Sequence, residues 1–197
     1  VGLDTPASTI TVLKALQRSG YHVTNMPATS AELIQHLSKG PTNAGVSGRH
    51  VTEWLSFADY RAFFADLPTA VQSAVMDRWG PPESDPFATG NGFAIPGFCC
   101  GNIAVLLQPA RGYNIDPDKT YHDPDLVPPH GYLAAYAWVR AATGFNAHAA
   151  VHLGKHGNLE WLPGKSVALS ENCFPEAILG PMPNLYPFIV NDPGEGT

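Results

Sequence analysis

The sequence is poor in charge, in basic residues and in cysteine, and it contains no long apolar run. Asp, Glu, Lys and Arg make up 14% of the 197 residues, against about 25% in typical soluble chains. Basic residues number 11 against 17 acidic ones, for a net charge of −6, which argues against nucleic-acid binding. No apolar stretch approaches the roughly 20 residues of a membrane-spanning helix. The 3 cysteines favour a reducing compartment, the cytoplasm, over a disulfide scaffold.

Glycine and proline are abundant, with 19 residues of each, above their usual share. Long loops, and a surface that is partly covered by something else, would explain both this composition and the low charge. Residues 1–6 have the pattern of a segment that connects the end of a strand to the start of a helix, although no strand precedes them. We therefore expect residues 1–197 to form a single α/β domain that is a fragment of a longer chain.

Apolar periodicity and helix-stop signals alternate along the sequence. Helices are predicted over residues 5–19, 30–37, 52–66, 68–79, 130–142 and 173–179, and strands over 21–26, 102–108, 147–153 and 186–191. The runs 102–108 and 147–153 are almost unbroken apolar segments, which suit strands buried on both faces. The pattern predicts an α/β fold with a doubly wound, mostly parallel sheet, helices on both faces and long loops that carry the motifs.

In such a sheet, the loops that follow the strands share one crevice at the carboxyl edge. We expect residues 1–5, 109–114 and 152–160 to line that crevice. Arg111 follows a strand directly and can hold a carboxylate or phosphate in a bidentate manner, or it can form an ordinary ion pair. His130 stands at a helix start from which it can reach the crevice.

The loop after the second apolar run carries the most informative pattern. His152, His156 and Glu160 are spaced four residues apart, and all three side chains suit a divalent transition metal. Gly154 and Gly157 argue against a continuous helix that would align them. Two simpler interpretations stay open: a buried structural histidine at His152 and a helix-start carboxylate at Glu160.

Glu160 is also a candidate proton acceptor. It lies between Leu159 and Trp161, and these neighbours predict a poorly solvated carboxylate. By contrast, Pro163-Gly-Lys-Ser166 resembles only the end of a phosphate-binding loop, because leucine occupies the place of the first glycine. The segment is therefore not a phosphate-binding loop.

Three segments carry a family resemblance: QPARGYNIDP (residues 108–117), YHDPDLVPPH (121–130) and GKHGNLEWLPGK (154–165). They closely resemble the large subunits of cobaltochelatase and magnesium chelatase, the CobN/magnesium chelatase family. The match extends to VGLDTPAS at residues 1–8 and to residues 183–197. The NLEWLPGK form of the third segment and the acidic loop at 121–128 favour the cobalt branch.

The resemblance implies an enzyme that inserts Co²⁺, its substrate metal, into hydrogenobyrinic acid a,c-diamide during cobalamin biosynthesis. ATP, with Mg²⁺, would be bound and hydrolysed by separate AAA+-type partner subunits. The implied partners are thus a tetrapyrrole and those subunits, with no nucleic acid and no membrane. The isolated chain is expected to be inactive.

The resemblance also implies residue roles. Glu160 and His156 would be catalytic, and His152, His156 and Glu160 would contact the metal. The implied substrate-binding residues are Arg111, Tyr113, His130 and Lys165. Three alternatives stay open: a porphyrin subunit like that of magnesium chelatase, a metal-dependent hydrolase that uses the same three metal-contacting residues, and a noncatalytic tetrapyrrole-binding module.

Overall fold

The computed structural model describes residues 3–112, 123, 125–154, 159–165, 167 and 169–187. The helices are α1 (Thr5–Arg18), α2 (Ser30–Lys39), α3 (Phe57–Ala65), α4 (Thr69–Trp79), α5 (His130–Arg140) and α6 (Phe174–Leu179), with 3₁₀ turns at Pro82–Ser84 and Leu159–Trp161. The strands are β1 (Glu53–Ser56), β2 (Ala88–Thr89), β3 (Gly92–Ile95), β4 (Gly97–Cys100), β5 (Ile103–Leu106), β6 (Ala150–Val151) and β7 (Asn184–Leu185). The predicted mixture of helices and strands is confirmed.

The predicted doubly wound parallel sheet is wrong for the described residues, which form three small sheets instead. One has the order β1-β3-β2 and is antiparallel, β4 and β5 form an antiparallel pair, and β6 and β7 form a parallel pair. The two apolar runs therefore do not pair with each other. An unbroken apolar run reports burial on both faces but does not specify the partner strand or its direction.

The β4–β5 hairpin explains the local pairing of the first apolar run. Cys100 pairs with Ile103, so only Gly101 and Asn102 connect the two strands. Gly101 has φ +68°, and a Cβ there would overlap the backbone carbonyl of His22. The backbone N–H of Asn102 donates to the same carbonyl at 2.8 Å. Glycine is therefore required at this turn both for its conformation and for the close approach.

Two further predicted segments differ from the structure. Residues 53–56 form strand β1 rather than the first turn of a helix, because they pair with β3. Ser56 then caps α3 through its Oγ, which accepts from the N–H of Asp59 at 3.0 Å. Residues 21–26 form no strand. The predicted strand at 186–191 falls mostly outside the described residues, and β7 precedes it.

The main hydrophobic core surrounds α5. Residues 132–137 of this helix are all less than 7% exposed, and the helix contacts β1, β3, α3 and α6. A helix that is apolar on every side is stable only when it is enclosed in this way. A second, smaller core lies between α1, α2 and β4, and it contains Leu13, Leu33 and Phe98.

The first residue of α5, His130, is part of this interior. It is 1% exposed. Its Nδ1 accepts from the Tyr60 hydroxyl at 2.6 Å, and its Nε2–H donates to the Gly80 carbonyl at 2.8 Å. Burial lowers the pKa of His130, against smaller opposing effects of Gly80 and Asp85. Because both ring nitrogens are engaged inside the core, the expectation that His130 contacts a substrate is corrected to a structural role.

Removing the Tyr60 hydroxyl tests this role. Tyr60→Phe leaves the buried Nδ1 of His130 without its donor, and we expect it to lower the free energy of unfolding by about 1–3 kcal/mol. Urea denaturation followed by circular dichroism measures the effect. Tyr21→Phe is the matched control, since Tyr21 is 56% exposed and should lose almost nothing. Equal stability of the two variants would contradict the assignment.

Candidate functional site

Polar side chains from widely separated segments meet around His152. We call the hydrogen-bonded set of Gln108, Tyr132, Tyr136, His152 and Asn184 the His152 cluster. Gln108 follows β5, the two tyrosines lie on α5, His152 directly follows β6, and Asn184 lies on β7. Residues distant in the sequence are therefore brought together by the helix α5 and by the short parallel pair β6–β7.

The imidazole of His152 is half-buried and has a partner on each nitrogen. Nδ1 lies 3.0 Å from Oδ1 of Asn184, and Nε2 lies 3.1 Å from the Tyr136 hydroxyl. Burial lowers the pKa of His152, opposed by the Asn184 hydrogen bond and by the charge of Glu160. At neutral pH the ring is therefore neutral, which is the form that can bind a metal or accept a proton.

Tyr136 extends the cluster toward β5. Its hydroxyl lies 3.2 Å from Oε1 of Gln108, whose amide nitrogen donates to the Tyr132 hydroxyl at 3.4 Å. The two tyrosine rings stack with centroids 5.3 Å apart. Burial raises the pKa of Tyr136 to about 12 and that of Tyr132 well above its usual value. Both phenols therefore keep their protons at neutral pH and remain hydrogen-bond donors.

Glu160 lies beside the cluster, in the 3₁₀ turn Leu159–Trp161. Its Oε1 accepts from the Tyr186 hydroxyl at 3.2 Å, and the Tyr186 ring meets that of His152 edge-on at 6.2 Å. The negative charge of Glu160 interacts electrostatically with Tyr132, Tyr136 and His152. Tyr186 thus contacts both the Glu160 carboxylate and the edge of the His152 ring.

The predicted poor solvation of Glu160 is wrong for the described residues. Leu159 is 6% exposed, whereas Glu160 is exposed and Trp161 is 37% exposed. A single 3₁₀ turn has three residues per turn, so burying Leu159 directs the next residue outward. The carboxylate faces the surface, where a bound ligand can reach it.

Arg111 connects the loop after β5 to this turn. It is 7% exposed, and its two terminal nitrogens donate to the backbone carbonyls of Trp161 and Asp123, each at 2.6 Å. Arg111 and Glu160 therefore lie at the same side of the molecule. The guanidinium is used at least in part to position the backbone next to Glu160.

Lys165 is exposed and lies in the loop that follows the 3₁₀ turn Leu159–Trp161. Its backbone N–H donates to Sγ of Cys173 at 3.3 Å, and the thiol also receives the N–H of Ser170 at 3.3 Å. These hydrogen bonds, led by that of Lys165, lower the pKa of Cys173. The 3%-exposed cysteine thus holds the loop in place and leaves the Lys165 side chain at the surface.

Two predicted site residues, His156 and Tyr113, lie outside the described residues. Within the part of the chain that the structure describes, no group of three or more His, Cys, Asp or Glu side chains is arranged to hold a metal ion. His152 and Glu160 are the described members of the predicted metal triad. Within the same described part, no helix has the length and apolar character needed to span a membrane.

Sequence reasoning missed Tyr136, Gln108, Asn184 and Tyr186. The spacing of Tyr132 and Tyr136 places both on one helix face, and Gln108 ends an apolar run, so these residues carried a weak signal. Asn184 and Tyr186 carried none, because their position depends on the pairing of β7 with β6.

The sequence as a whole matches the family described as CobN/Magnesium Chelatase over residues 1–197. It is 58% identical over 197 residues to the aerobic cobaltochelatase subunit CobN of Sinorhizobium sp, covering 100% of this chain and 15% of that protein. The CobN subunit of Pseudomonas aeruginosa is 52% identical over 198 residues, covering 100% of this chain and 16% of that protein. The magnesium-chelatase subunit ChlH of Oryza sativa is 31% identical over 193 residues, covering 96% and 13%.

The fold is also similar to that of a solved structure. The catalytic subunit of cobaltochelatase from Mycobacterium tuberculosis superposes with a TM-score of 0.83 at 43% identity, covering 100% of this chain and 17% of that one. The chain spans about 15% of the length of the curated CobN relatives that it matches. The sequence match and the structural similarity both extend over the full 197 residues, and the chain therefore belongs to the CobN/magnesium chelatase family.

Proposed function

We propose that this chain is part of the large, tetrapyrrole-binding subunit of a cytoplasmic, ATP-dependent cobaltochelatase. The whole enzyme inserts Co²⁺ into hydrogenobyrinic acid a,c-diamide in cobalamin biosynthesis. The observation that carries the proposal is the close placement of a neutral imidazole, His152, and an exposed carboxylate, Glu160, on a framework of tyrosine hydroxyls. The higher identity to CobN than to ChlH, 58% against 31%, supports cobalt over magnesium.

Metal insertion makes two chemical demands on the protein. The divalent ion must lose water and be held near the ring, and the inner N–H proton of the corrin must leave as the metal–nitrogen bonds form. Imidazole and carboxylate are suitable transient ligands for Co²⁺, and a carboxylate near the ring nitrogens can accept protons. We assign the first role to His152, with His156 from the same motif, and the second to Glu160.

Tyr186 supports the role of Glu160. Its hydroxyl donates to Oε1 at 3.2 Å, which orients the carboxylate and leaves Oε2 to accept a proton from the substrate. Arg111 holds the neighbouring carbonyl of Trp161, so the backbone that carries Glu160 is fixed from a second side. Such fixed placement is what allows a general base to act on a bound substrate.

The periphery of a corrinoid carries carboxylates and amides, which require cationic and hydroxyl partners. Lys165 offers an exposed ammonium group next to the Glu160 turn. We propose that Lys165 and Tyr113 contact this periphery, and that Arg111 adds positive charge while it positions the loop. The sequence has no phosphate-binding loop, so we assign ATP and its Mg²⁺ to AAA+-type partner subunits.

The role of Glu160 predicts the effect of one substitution. Glu160→Gln preserves shape and the hydrogen bond from Tyr186 but cannot accept a proton. In the full-length subunit with its partners, we expect insertion to slow by about 10²–10⁴-fold, the usual contribution of a general base, with unchanged affinity for the tetrapyrrole. The absorbance change on metal insertion measures the rate, and fluorescence quenching measures binding.

Glu176→Gln provides the matched control for that experiment. Glu176 is an exposed carboxylate on α6 to which the proposed mechanism assigns no role, and its loss should leave the rate unchanged. Near-normal turnover by Glu160→Gln would show that the base lies elsewhere.

The chain by itself should not insert cobalt. It spans a small part of its relatives and has no ATP-binding loop, so the energy source and much of the substrate enclosure are missing. We expect no metallated product from the purified 197-residue chain with or without ATP, measured by absorbance after overnight incubation. Product formed by the chain alone would contradict the assignment of ATP hydrolysis to separate subunits.

A further inference from the structure

The segment 108–111 carries two side chains of the site, and it extends beyond the end of its strand partner. Strand β5 pairs with β4 as far as Leu106, which lies opposite Gly97. The pairing continues in one further backbone hydrogen bond, from Leu107 N–H to the Pro96 carbonyl at 2.8 Å. Residues 108–111 follow directly, so their placement requires a partner other than β4.

The side chain of Asn43 binds the backbone of this segment. Its Nδ2 donates to the Gln108 carbonyl at 3.1 Å, and its Oδ1 accepts from the N–H of Ala110 at 3.2 Å. A backbone carbonyl can only accept and a backbone N–H can only donate, so these two contacts define the orientation of the carboxamide. One side chain thus holds the polar groups on both sides of Pro109, as the backbone of a neighbouring strand would do.

The connection between α2 and β1 holds Asn43 in place. Two backbone hydrogen bonds between Thr42 and Gly45, at 3.3 and 2.8 Å, close a tight turn around Asn43. Pro41, before this turn, is less than 2% exposed, and Val46, after it, packs against the main hydrophobic core. The carboxamide therefore extends from a backbone that is fixed on both sides.

The segment that Asn43 holds connects two parts of the site. The side chain of Gln108 contacts both tyrosine hydroxyls of the His152 cluster. Arg111 donates to the carbonyl of Trp161 at 2.6 Å, in the turn that carries Glu160. A shift of the backbone at 108–110 would therefore move the guanidinium that fixes the backbone beside the candidate base.

We propose that Asn43 is a positioning residue for Glu160: it holds the 108–110 backbone and thereby places Arg111 on the turn that carries the carboxylate. Asn43 is exposed, and water can replace its two hydrogen bonds without fixing where the backbone lies. Its loss should therefore affect the geometry of the base rather than the stability of the fold. Misplacement by about 1 Å can cost about 10²-fold in rate. The inference rests on the proposed function, which assigns the base role to Glu160.

The test is a double-mutant cycle in the full-length subunit with its partner subunits. Asn43→Ala should lower kcat for cobalt insertion about 10-fold or more, with the melting temperature and the stoichiometry of tetrapyrrole binding unchanged. In the Glu160→Gln background there is no base to position, so the same substitution should change the residual rate less than about 2-fold. Asn43→Asp preserves shape but cannot donate to the Gln108 carbonyl, so it should be slow as well. Asn91→Ala, at an exposed asparagine between β2 and β3, is the matched control and should keep the parent rate.

Hydrogen exchange measures the same positioning without any activity. The N–H of Leu162 donates to the Leu159 carbonyl at 3.1 Å within the Glu160 turn. Asn43→Ala should speed amide exchange over residues 159–162 several-fold, because the turn opens more often, whereas Asn91→Ala should not. Unchanged exchange there, or an equal loss of rate in both backgrounds of the cycle, would overturn the role of Asn43.

Glu160→Gln separates this inference from the proposed function. If Glu160→Gln is slow but Asn43→Ala keeps the parent rate, the inference fails and the proposed function stands. If Glu160→Gln itself keeps the parent rate, the base role of Glu160 fails and the inference fails with it.

Discussion

The burial of α5 is the constraint on which the site depends. This helix is enclosed by β1, β3, α3 and α6, so its position leaves little freedom to the elements around it. It nevertheless carries two tyrosine hydroxyls, those of Tyr132 and Tyr136, to the edge of the core. The hydrophobic effect that stabilises the domain thus also fixes the donors around which the polar cluster is built. Arg140, at the last turn, donates to the carbonyls of Ala177 and Ile178 and ties α6 to the same framework.

The candidate site forms where the chain makes a parallel strand pair. Parallel strands require a long connection, and here that connection carries the 3₁₀ turn with Glu160, the loop with Lys165 and the helix α6. Because the pairing brings Asn184 next to His152, one backbone arrangement positions both the metal-binding candidate and its partner. The segment between the two strands supplies the candidate base. Short strands of this kind gain their stability from the core on which their flanking elements pack.

Prediction from the sequence succeeded where the signal was local. Apolar spacing and stop residues predicted helices close to the observed α1, α2, α4, α5 and α6, and the alternation of helix and strand predicted the fold class. Residue types and spacing also predicted a site in the loop that contains His152 and Glu160, and that assignment stays a prediction. The sequence could not specify that residues 103–106 pair with β4, because hairpin formation there depends on the conformation of Gly101.

The predictions that failed at the site also failed because tertiary packing, which local sequence does not show, decided the burial of the side chains. His130 stands beside glycine and proline like a ligand-binding residue, yet tertiary packing encloses it between Tyr60 and Gly80. Glu160 lies between two apolar residues, yet only Leu159 turns to the core. Burial of one side chain in a short turn does not extend to its neighbour, and composition alone does not show which residue faces inward.

The central claim is that a bound tetrapyrrole lies against the surface formed by His152 and Glu160. A structure of the full-length subunit with its tetrapyrrole bound, determined by electron cryo-microscopy, tests this claim most directly. The account predicts ring nitrogens within hydrogen-bond reach of the Glu160 carboxylate, about 3 Å or through one water molecule, with His152 on the same face of the ring. A tetrapyrrole bound at another surface, with Glu160 open to solvent, would contradict it.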